Sequence, residues 1–227
     1  MATASKRITR KELRQPDWFQ VNTDKALEFF EQHKAIVFGA LGAAVVVMVV
    51  VWSWQIFKEK QNSAASQEFN KAVELYQEAK YTEALSSFEK VQSYRWSRYA
   101  GLAHLYQANI YLAKSDLDKA LSAAQRALSA TKPNGLYRQL ALMALASAEE
   151  RLNQCKSAIE HFSEAQRING ALQANALLGK ARCAEQLGDK AMMIATYKEY
   201  LKDSPGSPLA IKLAELEAAT VSVPATK

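Results

Sequence analysis

Four units between Ala65 and Pro208 repeat one pattern of small and large apolar residues. Each unit has a helical segment with a small residue, a short polar break, and a second helical segment whose apolar positions are four and three residues apart. The units begin near Ala65, Gly101, Gln139 and Ala174, so the periods are 36, 38 and 35 residues. This period predicts a helical repeat array in which each unit buries its apolar face against its neighbours.

Small residues in the repeat allow two antiparallel helices to approach closely, and large residues fill the space against the next unit. The first helices supply Ala72, Ala108, Ala146 and Ala181. The second helices supply Ala84, Phe88, Val91, Ala120, Ala124, Ala127, Ala158, Phe162, Ala165, Met193, Tyr197 and Tyr200. The breaks are predicted at residues 79–81, 115–117, 153–155 and 188–190. We therefore predict an all-α fold that contains an α-solenoid of about four helix pairs.

A second feature is the segment 35–57, which carries no charged residue between Lys34 and Lys58. Its length is sufficient to span a bilayer, and Trp52, Trp54 and Phe57 lie at one end, as in an interfacial aromatic belt. A buried soluble helix and a cleaved signal peptide are the alternatives. A signal peptide is disfavoured because the apolar segment is long and begins more than thirty residues into the chain.

Small residues at the start of this span offer a surface for a second membrane helix. They are Gly39, Gly42 and Ala43. Small side chains let helix backbones approach closely in a bilayer. Because such residues are common in membrane helices, an unpartnered span is the alternative interpretation.

The charges that flank the span predict its orientation. The first fourteen residues contain five basic residues and one acidic residue, a net charge of +4, whereas the exit side begins with Lys58-Glu59-Lys60, a net charge of +1. Positive residues are retained in the cytoplasm. We expect a cytoplasmic N-terminus and repeats on the opposite side of the membrane.

The predicted domain organisation follows from these features. A cytoplasmic basic leader with a juxtamembrane helix occupies residues 1–34 and the transmembrane helix residues 35–57. A linker at 58–64 leads to the repeats at 65–218, and a disordered tail occupies 219–227.

Aromatic and basic residues alternate at the end of the first repeat, in Tyr94, Arg95, Trp96 and Arg98. These residue types anchor many protein interfaces, which suggests a partner-contact patch. The alternative is an inter-repeat turn whose rings pack under the next helix pair. Cys155 and Cys183 lie in consecutive units at neighbouring helix ends, so they are either buried free thiols or a disulfide that joins the two units.

No catalytic or phosphate-binding motif is present in the sequence, and its three histidines are isolated from one another. We therefore predict no enzyme activity, no cofactor, no metal site and no small-molecule substrate. The net charge of +6 is spread thinly, and no stretch after residue 57 has the cluster of Lys and Arg that nucleic-acid binding requires. The function is expected to reside in a protein-binding surface.

Two runs of the sequence, AKYTEALSSF at 79–88 and GDKAMMIATYKEYLKDSP at 188–205, closely resemble tetratricopeptide repeats. The resemblance implies a concave groove lined by the first helices, which suits an extended or helical peptide. The groove positions correspond to Phe69, Asn70, Val73, Tyr76, Leu105, Tyr106, Asn109, Leu112, Met143, Ser147, Glu150, Leu178, Arg182 and Glu185. Chaperone-binding members use lysines where this chain has Phe69 and Leu105, so a carboxylate clamp is not expected. Alternatively, several of these residues pack against a terminal helix at 208–218.

The order of a charged leader, one span and about four repeats resembles the family of bacterial membrane-anchored repeat proteins typified by YfgM. Phe29-Phe30-Glu31-Gln32-His33-Lys34 before the span is similar to that family's entry into the membrane. The resemblance implies an ancillary subunit of the SecYEG translocon in a bacterial inner membrane, with translocon subunits or envelope chaperones as partners. The alternatives are a self-associating structural protein of the cell envelope and an organelle-membrane receptor with cytosolic repeats.

Overall fold

Every regular secondary-structure element in the described part of the chain is an α-helix. The computed structural model describes Thr23, Glu28, Phe29 and residues 31–221, and its helices from Lys34 onward number nine. They are α1 (Lys34–Gln77), α2 (Tyr81–Ser93), α3 (Tyr99–Ala113), α4 (Leu117–Ser129), α5 (Leu136–Arg151), α6 (Cys155–Arg167), α7 (Gln173–Gln186), α8 (Lys190–Asp203) and α9 (Leu209–Val221). The prediction of an all-helical repeat fold is confirmed for these residues.

The chain divides into two compact parts, which we call the N-terminal part (Met1–Phe57) and the repeat part (Lys58–Lys227). The boundary between them lies within α1. In the N-terminal part, most apolar side chains of α1 are exposed, including Val47 and Trp52. Among the described residues, α1 alone has both the length and the apolar composition to cross a membrane. Signal sequences and the core helices of soluble proteins share these two properties, so α1 is a candidate span on length and composition alone.

Residues 58–64, predicted as a linker, are helical and belong to α1 without interruption. They contain neither Gly nor Pro, so no residue in them breaks a helix. At the other end of the chain, residues 219–221 continue α9 into the segment predicted as a disordered tail. The predictions for residues 1–22 and 222–227, and for most of the juxtamembrane helix, lie outside the described residues.

Each of the four predicted breaks is a tight turn of the same construction. The residue with positive φ is Ala79 (57°), Ser115 (60°), Asn153 (61°) or Gly188 (70°). In the first turn, Lys80 N donates to Leu75 O at 2.9 Å and Ala79 N donates to Tyr76 O at 3.0 Å. Equivalent pairs of hydrogen bonds close the other three turns. This is the Schellman pattern, which satisfies the last carbonyls of each first helix and confirms the position of every break.

The repeat residues form the core of the repeat part, Lys58–Lys227. The four small residues of the first helices and eleven of the twelve apolar residues of the second helices are buried, and Tyr200 is half-buried. Neighbouring helices pack in chain order from α2 to α9, and first helices also pack on first helices, α3 on α5 and α5 on α7. Apolar burial between successive units is the main stabilising contribution in such an array.

A buried amide also fastens the third unit. Gln139 is fully buried near the start of α5, and its Nε2 donates to the carbonyls of Ala165 and Ile168, both at 3.0 Å. These carbonyls lie at the end of α6, where a helix has no internal donors left. Gln139 therefore joins the start of one helix to the end of the next.

Candidate functional site

The first-helix face of units 1 and 2 is built around stacked aromatic rings. Tyr106 in α3 packs edge-on against Tyr76 with ring centroids 5.3 Å apart, and it stacks on Phe88 at 5.2 Å. Tyr76 also contacts Tyr81 at 6.0 Å. Burial, followed by the neighbouring Tyr81 and Tyr106, raises the pKa of Tyr76. The rings of Tyr76 and Tyr106 are half-buried, so parts of both phenol rings remain accessible on this face.

Two residues expected to line the groove lie in the core. Phe69 is only 9% exposed because its ring packs edge-on against Phe88 and Tyr106. Leu105 is 6% exposed and belongs to the core cluster that contains Ala108 and Ala124. Phe69 therefore offers very little surface to a ligand, whereas Leu105 reaches a cavity described below.

The other groove positions in units 1 and 2 are accessible. Asn70 is exposed, and Val73, Asn109 and Leu112 are half-buried. The carbonyl of Leu112 accepts a hydrogen bond from the guanidinium of Arg151, which also donates to Ser115 Oγ at 2.8 Å.

Ion pairs occupy the first-helix face in units 3 and 4. Arg182 in α7 donates to both carboxylate oxygens of Glu150 in α5, at 2.6 and 2.8 Å. This hydrogen bonding raises the pKa of Arg182. Glu185 pairs with Lys212 of α9 at 2.9 Å. The terminal helix thus contacts one groove position through an ion pair, whereas the packing alternative predicted several.

The remaining groove positions of these two units, Met143, Ser147 and Leu178, are half-buried. Together with the paired charges, they form a more polar surface than the first-helix face of units 1 and 2. We call that face, which is formed by Tyr76, Tyr81 and Tyr106, the aromatic face.

A cavity of about 560 Å³ opens between units 2 and 3. We call it the basic cavity. It is lined by Arg98, Tyr99, Gly101, Leu102, Leu105, Ala127, Ala130, Thr131, Lys132, Gly135, Tyr137 and Arg138. Its size lies within the range of ligand-binding clefts, and apolar atoms form most of its wall.

The charged residues of the basic cavity are all cationic. Arg138 donates to Glu164 through Nε at 3.0 Å, so its charge is compensated. The guanidinium of Arg98 lies 5.7 Å from the ring centroid of Tyr99, and Lys132 is exposed. Among the described residues, neither Arg98 nor Lys132 has a carboxylate partner within ion-pair distance. An apolar pocket with two uncompensated cations suits an anionic segment that carries an apolar side chain.

Of the cavity residues, Arg98 and Leu105 were predicted as site residues from the sequence, and the others were not. A signal was nevertheless present, because the period from unit 2 to unit 3 is the longest of the three, at 38 residues. The additional residues lengthen the loop at 130–135, which contains Asn134 with a φ of 60°. Ala130, Thr131, Lys132 and Gly135 of this loop form one wall of the cavity.

The predicted aromatic and basic patch forms the loop between α2 and α3. Arg95, Trp96 and Arg98 are exposed, whereas Tyr94 is half-buried and packs against the core of unit 1. Ser97 between them is buried. The two interpretations of this segment therefore apply to different residues, since one ring packs inward and three side chains point to solvent.

Cys155 and Cys183 are both buried in one cluster with Ala146, Ala158 and Phe162. Both are free thiols, and Cys155 Sγ donates to Gln186 Oε1 at 2.9 Å. Burial, followed by a hydrogen bond with Cys155, raises the pKa of Cys183 well above its usual range. The structure places the two thiols together.

Polar side chains elsewhere in the described residues do not form a recognisable reaction centre. His161 pairs with the buried Glu149, with Nδ1 2.7 Å from Oε2. His104 is half-buried, and burial lowers its pKa. In the described ranges, no group of three His, Cys, Asp or Glu side chains could hold a metal ion.

Comparison with solved structures relates this architecture to known repeat proteins. The crystal structure of YrrB, described as a TPR protein with an unusual peptide-binding site, matches with a TM-score of 0.58 and 20% identity over 74% of this chain and 82% of that chain. The crystal structure of PilW, described as a widely conserved type IV pilus biogenesis factor, matches with a TM-score of 0.56 and 24% identity over 70% of each chain. At these identities the likeness concerns the fold.

No curated protein matches the chain. The tetratricopeptide repeat-like domain family matches residues 27–221. Proteins with this fold typically act as non-enzymatic scaffolds that bind other proteins. Since the family match extends over most of its length, the chain belongs to the tetratricopeptide repeat-like domain family.

Proposed function

We propose that this protein is a non-enzymatic, membrane-anchored scaffold whose repeats bind protein partners on the extracytoplasmic side of a bacterial inner membrane. The basic cavity is the observation that carries the proposal. It combines an apolar wall with the uncompensated charges of Arg98 and Lys132. The segment that it binds is an acidic stretch of a partner protein with one apolar anchoring side chain.

The aromatic face beside the cavity supports an extended contact. Leu105 reaches the cavity from α3, and Tyr106 and Asn109 follow on the same helix with half-buried side chains. A segment that enters the cavity can continue across these positions. The YrrB neighbour is described as having a peptide-binding site, so the same fold holds a peptide in that protein.

The exposed apolar surface of α1 supports the membrane anchor. Residues 35–57 have no charge, and most apolar side chains of this part of α1 are exposed. A surface of this kind is costly in water and is stabilised in hydrocarbon. The net charge of +4 on the first fourteen residues supports a cytoplasmic N-terminus.

Translocon subunits or envelope chaperones are the partners that we propose, through the similarity to the YfgM-like family. Anchoring the repeats beside membrane complexes raises their effective concentration there, so a cavity with moderate affinity is sufficient.

In-cell photocrosslinking tests the proposal. A photoreactive residue replaces Tyr137, which is 54% exposed at the cavity, or Asn109 on the first-helix face. Ser86, exposed on second helix α2, is the matched control. We expect adducts with translocon subunits or envelope chaperones from positions 137 and 109 and not from position 86.

Other outcomes of this experiment contradict specific parts of the proposal. Adducts of the protein only with itself favour the self-associating structural role. Adducts with cytosolic chaperones overturn the orientation and favour a receptor with cytosolic repeats. Equal yields from positions 137 and 86 overturn the cavity as the binding site.

A further inference from the structure

The loop between α2 and α3 is held in a fixed conformation that directs basic and aromatic side chains outward. Ser97 is buried, its N–H donates to Tyr94 O at 2.9 Å, and its Oγ accepts from Tyr99 N at 3.0 Å. These bonds turn the chain so that Arg95 is exposed and Trp96 is 56% exposed. Arg95 and Trp96 therefore lie at the outer surface of this loop.

The same loop is hydrogen-bonded to the first residues of the repeat part, Lys58–Lys227. Arg98 N donates to Asn62 Oδ1 at 3.1 Å, and Asn62 follows Phe57 by only five residues of continuous helix. At 1.5 Å per residue, these five residues advance by about 7 to 8 Å. This distance between Phe57 and Asn62 is set by the length of the chain between them. It therefore holds for any orientation of the N-terminal part and the repeat part. The headgroup layer on one side of a bilayer is roughly 5 to 8 Å thick.

The charge of this region is complementary to an anionic membrane surface. Four positive charges lie in this region against the single carboxylate of Glu59. They belong to Arg95 and Arg98 in the loop and to Lys58 and Lys60 at the start of the repeat part. All five side chains are exposed. Clusters of basic residues next to a span bind acidic lipids, and tryptophan favours the interface between hydrocarbon and water.

We propose that Lys58, Lys60, Arg95 and Trp96 form a headgroup surface that binds anionic phospholipids of the membrane in which α1 is anchored. This proposal rests on the proposed membrane anchor. The uncharged span supplies attachment, and the headgroup surface fixes the end of the repeat array that carries the loop at 94–98 against the lipid.

Fluorescence quenching in vesicles tests this surface. Ser93→Cys and Thr82→Cys place an exposed thiol at opposite ends of α2, about 16 Å apart along the helix. The full chain is labelled with an environment-sensitive dye and reconstituted into vesicles of phosphatidylcholine and phosphatidylglycerol that contain a headgroup nitroxide lipid. The native cysteines are buried, so the dye reacts with the introduced thiol. We expect at least twofold stronger quenching at position 93 than at position 82.

Charge reversal identifies the lipid contact. Arg95→Glu is expected to lower quenching at position 93 to the level at position 82, whereas Arg167→Glu, an exposed arginine in the last turn of α6, is expected to leave it unchanged. Equal quenching at positions 93 and 82 in the unaltered chain overturns the headgroup surface. So does quenching at position 93 that is the same in vesicles of phosphatidylcholine alone.

Alkaline extraction of the same vesicles separates this proposal from the anchor. A chain that remains with the lipid but shows no difference between positions 93 and 82 retains its anchor and lacks the headgroup contact. A chain that is released into the supernatant contradicts the membrane anchor itself and, with it, the headgroup surface.

Discussion

Gly179 in α7 and Phe162 in α6 approach so closely that a Cβ atom on Gly179 would lie within 2.5 Å of the phenyl ring. The ring of Phe162 is fully buried, so it cannot move aside without displacing neighbouring core side chains. The third and fourth units therefore pack around a glycine, because only a residue without a side chain leaves room for the ring.

Gly179→Ala is expected to destabilise the packing of the third repeat unit against the fourth. Alanine improves helix propensity by roughly 1 kcal/mol, but overpacking a core of this density costs roughly 1 to 3 kcal/mol, so we expect a net loss of about 1 kcal/mol. The midpoint of urea unfolding, followed by circular dichroism of the full chain in detergent, measures this loss.

Two further variants check that the loss comes from the ring. Gly206→Ala is the control, because a Cβ atom there would meet no other atom within 4 Å. Phe162→Leu opens space beside Gly179, so the double variant should be less destabilised than the sum of the two single variants. Simple additivity would contradict a direct contact between these positions.

The four turns allow a matched exchange between glycine and alanine. Ala79 and Gly188 occupy equivalent positions with φ values of 57° and 70°. A side chain in this left-handed conformation costs roughly 1 kcal/mol. Ala79→Gly should therefore stabilise the chain, and Gly188→Ala should destabilise it by a similar amount, about 1 kcal/mol in each case. Urea unfolding of both variants measures the two effects, and changes of the same sign would contradict the shared turn geometry.

The sequence was sufficient to predict the repeats because the spacing of small and apolar residues directly reflects helix packing. Ala108 and Ala146 are buried where the pattern placed them, and the breaks occur at the predicted positions. The basic cavity could not be predicted in the same way. Its walls come from a loop of irregular sequence, and Lys132 and Tyr137 meet Leu105 only after two units have stacked.

Phe69 illustrates a second limit of sequence reasoning. The resemblance placed it on the groove, yet neighbouring aromatic residues cover it in this chain. Phe88, Tyr99 and Tyr106 all lie within 6 Å of its ring centroid. A family position predicts the backbone location of a residue, but the size of its neighbours decides whether the side chain remains accessible.

The two cysteines are expected to be unreactive thiols in the folded protein. Burial raises the pKa of Cys183, so its thiolate is rare at pH 8, and Cys155 is only 2% exposed. An alkylating reagent at pH 8 should label neither residue in the native chain and both in denaturant, as measured by mass spectrometry. Rapid native labelling would contradict the burial. Labelling in denaturant only after addition of a reductant would show a disulfide instead of free thiols.

Lys132 provides a direct test of charge at the basic cavity. Its ammonium group has no carboxylate partner among the described residues, so it is available for an acidic segment of the partner. We expect Lys132→Glu to lower partner affinity roughly fivefold, the upper range for an exposed charge pair. The yield of the photocrosslinked adduct from position 109 measures the change. Lys156→Glu, on the exposed side of α6, is the matched control and should leave the yield unaltered. A fall of the same size in both variants would show that overall charge, and not the cavity, attracts the partner.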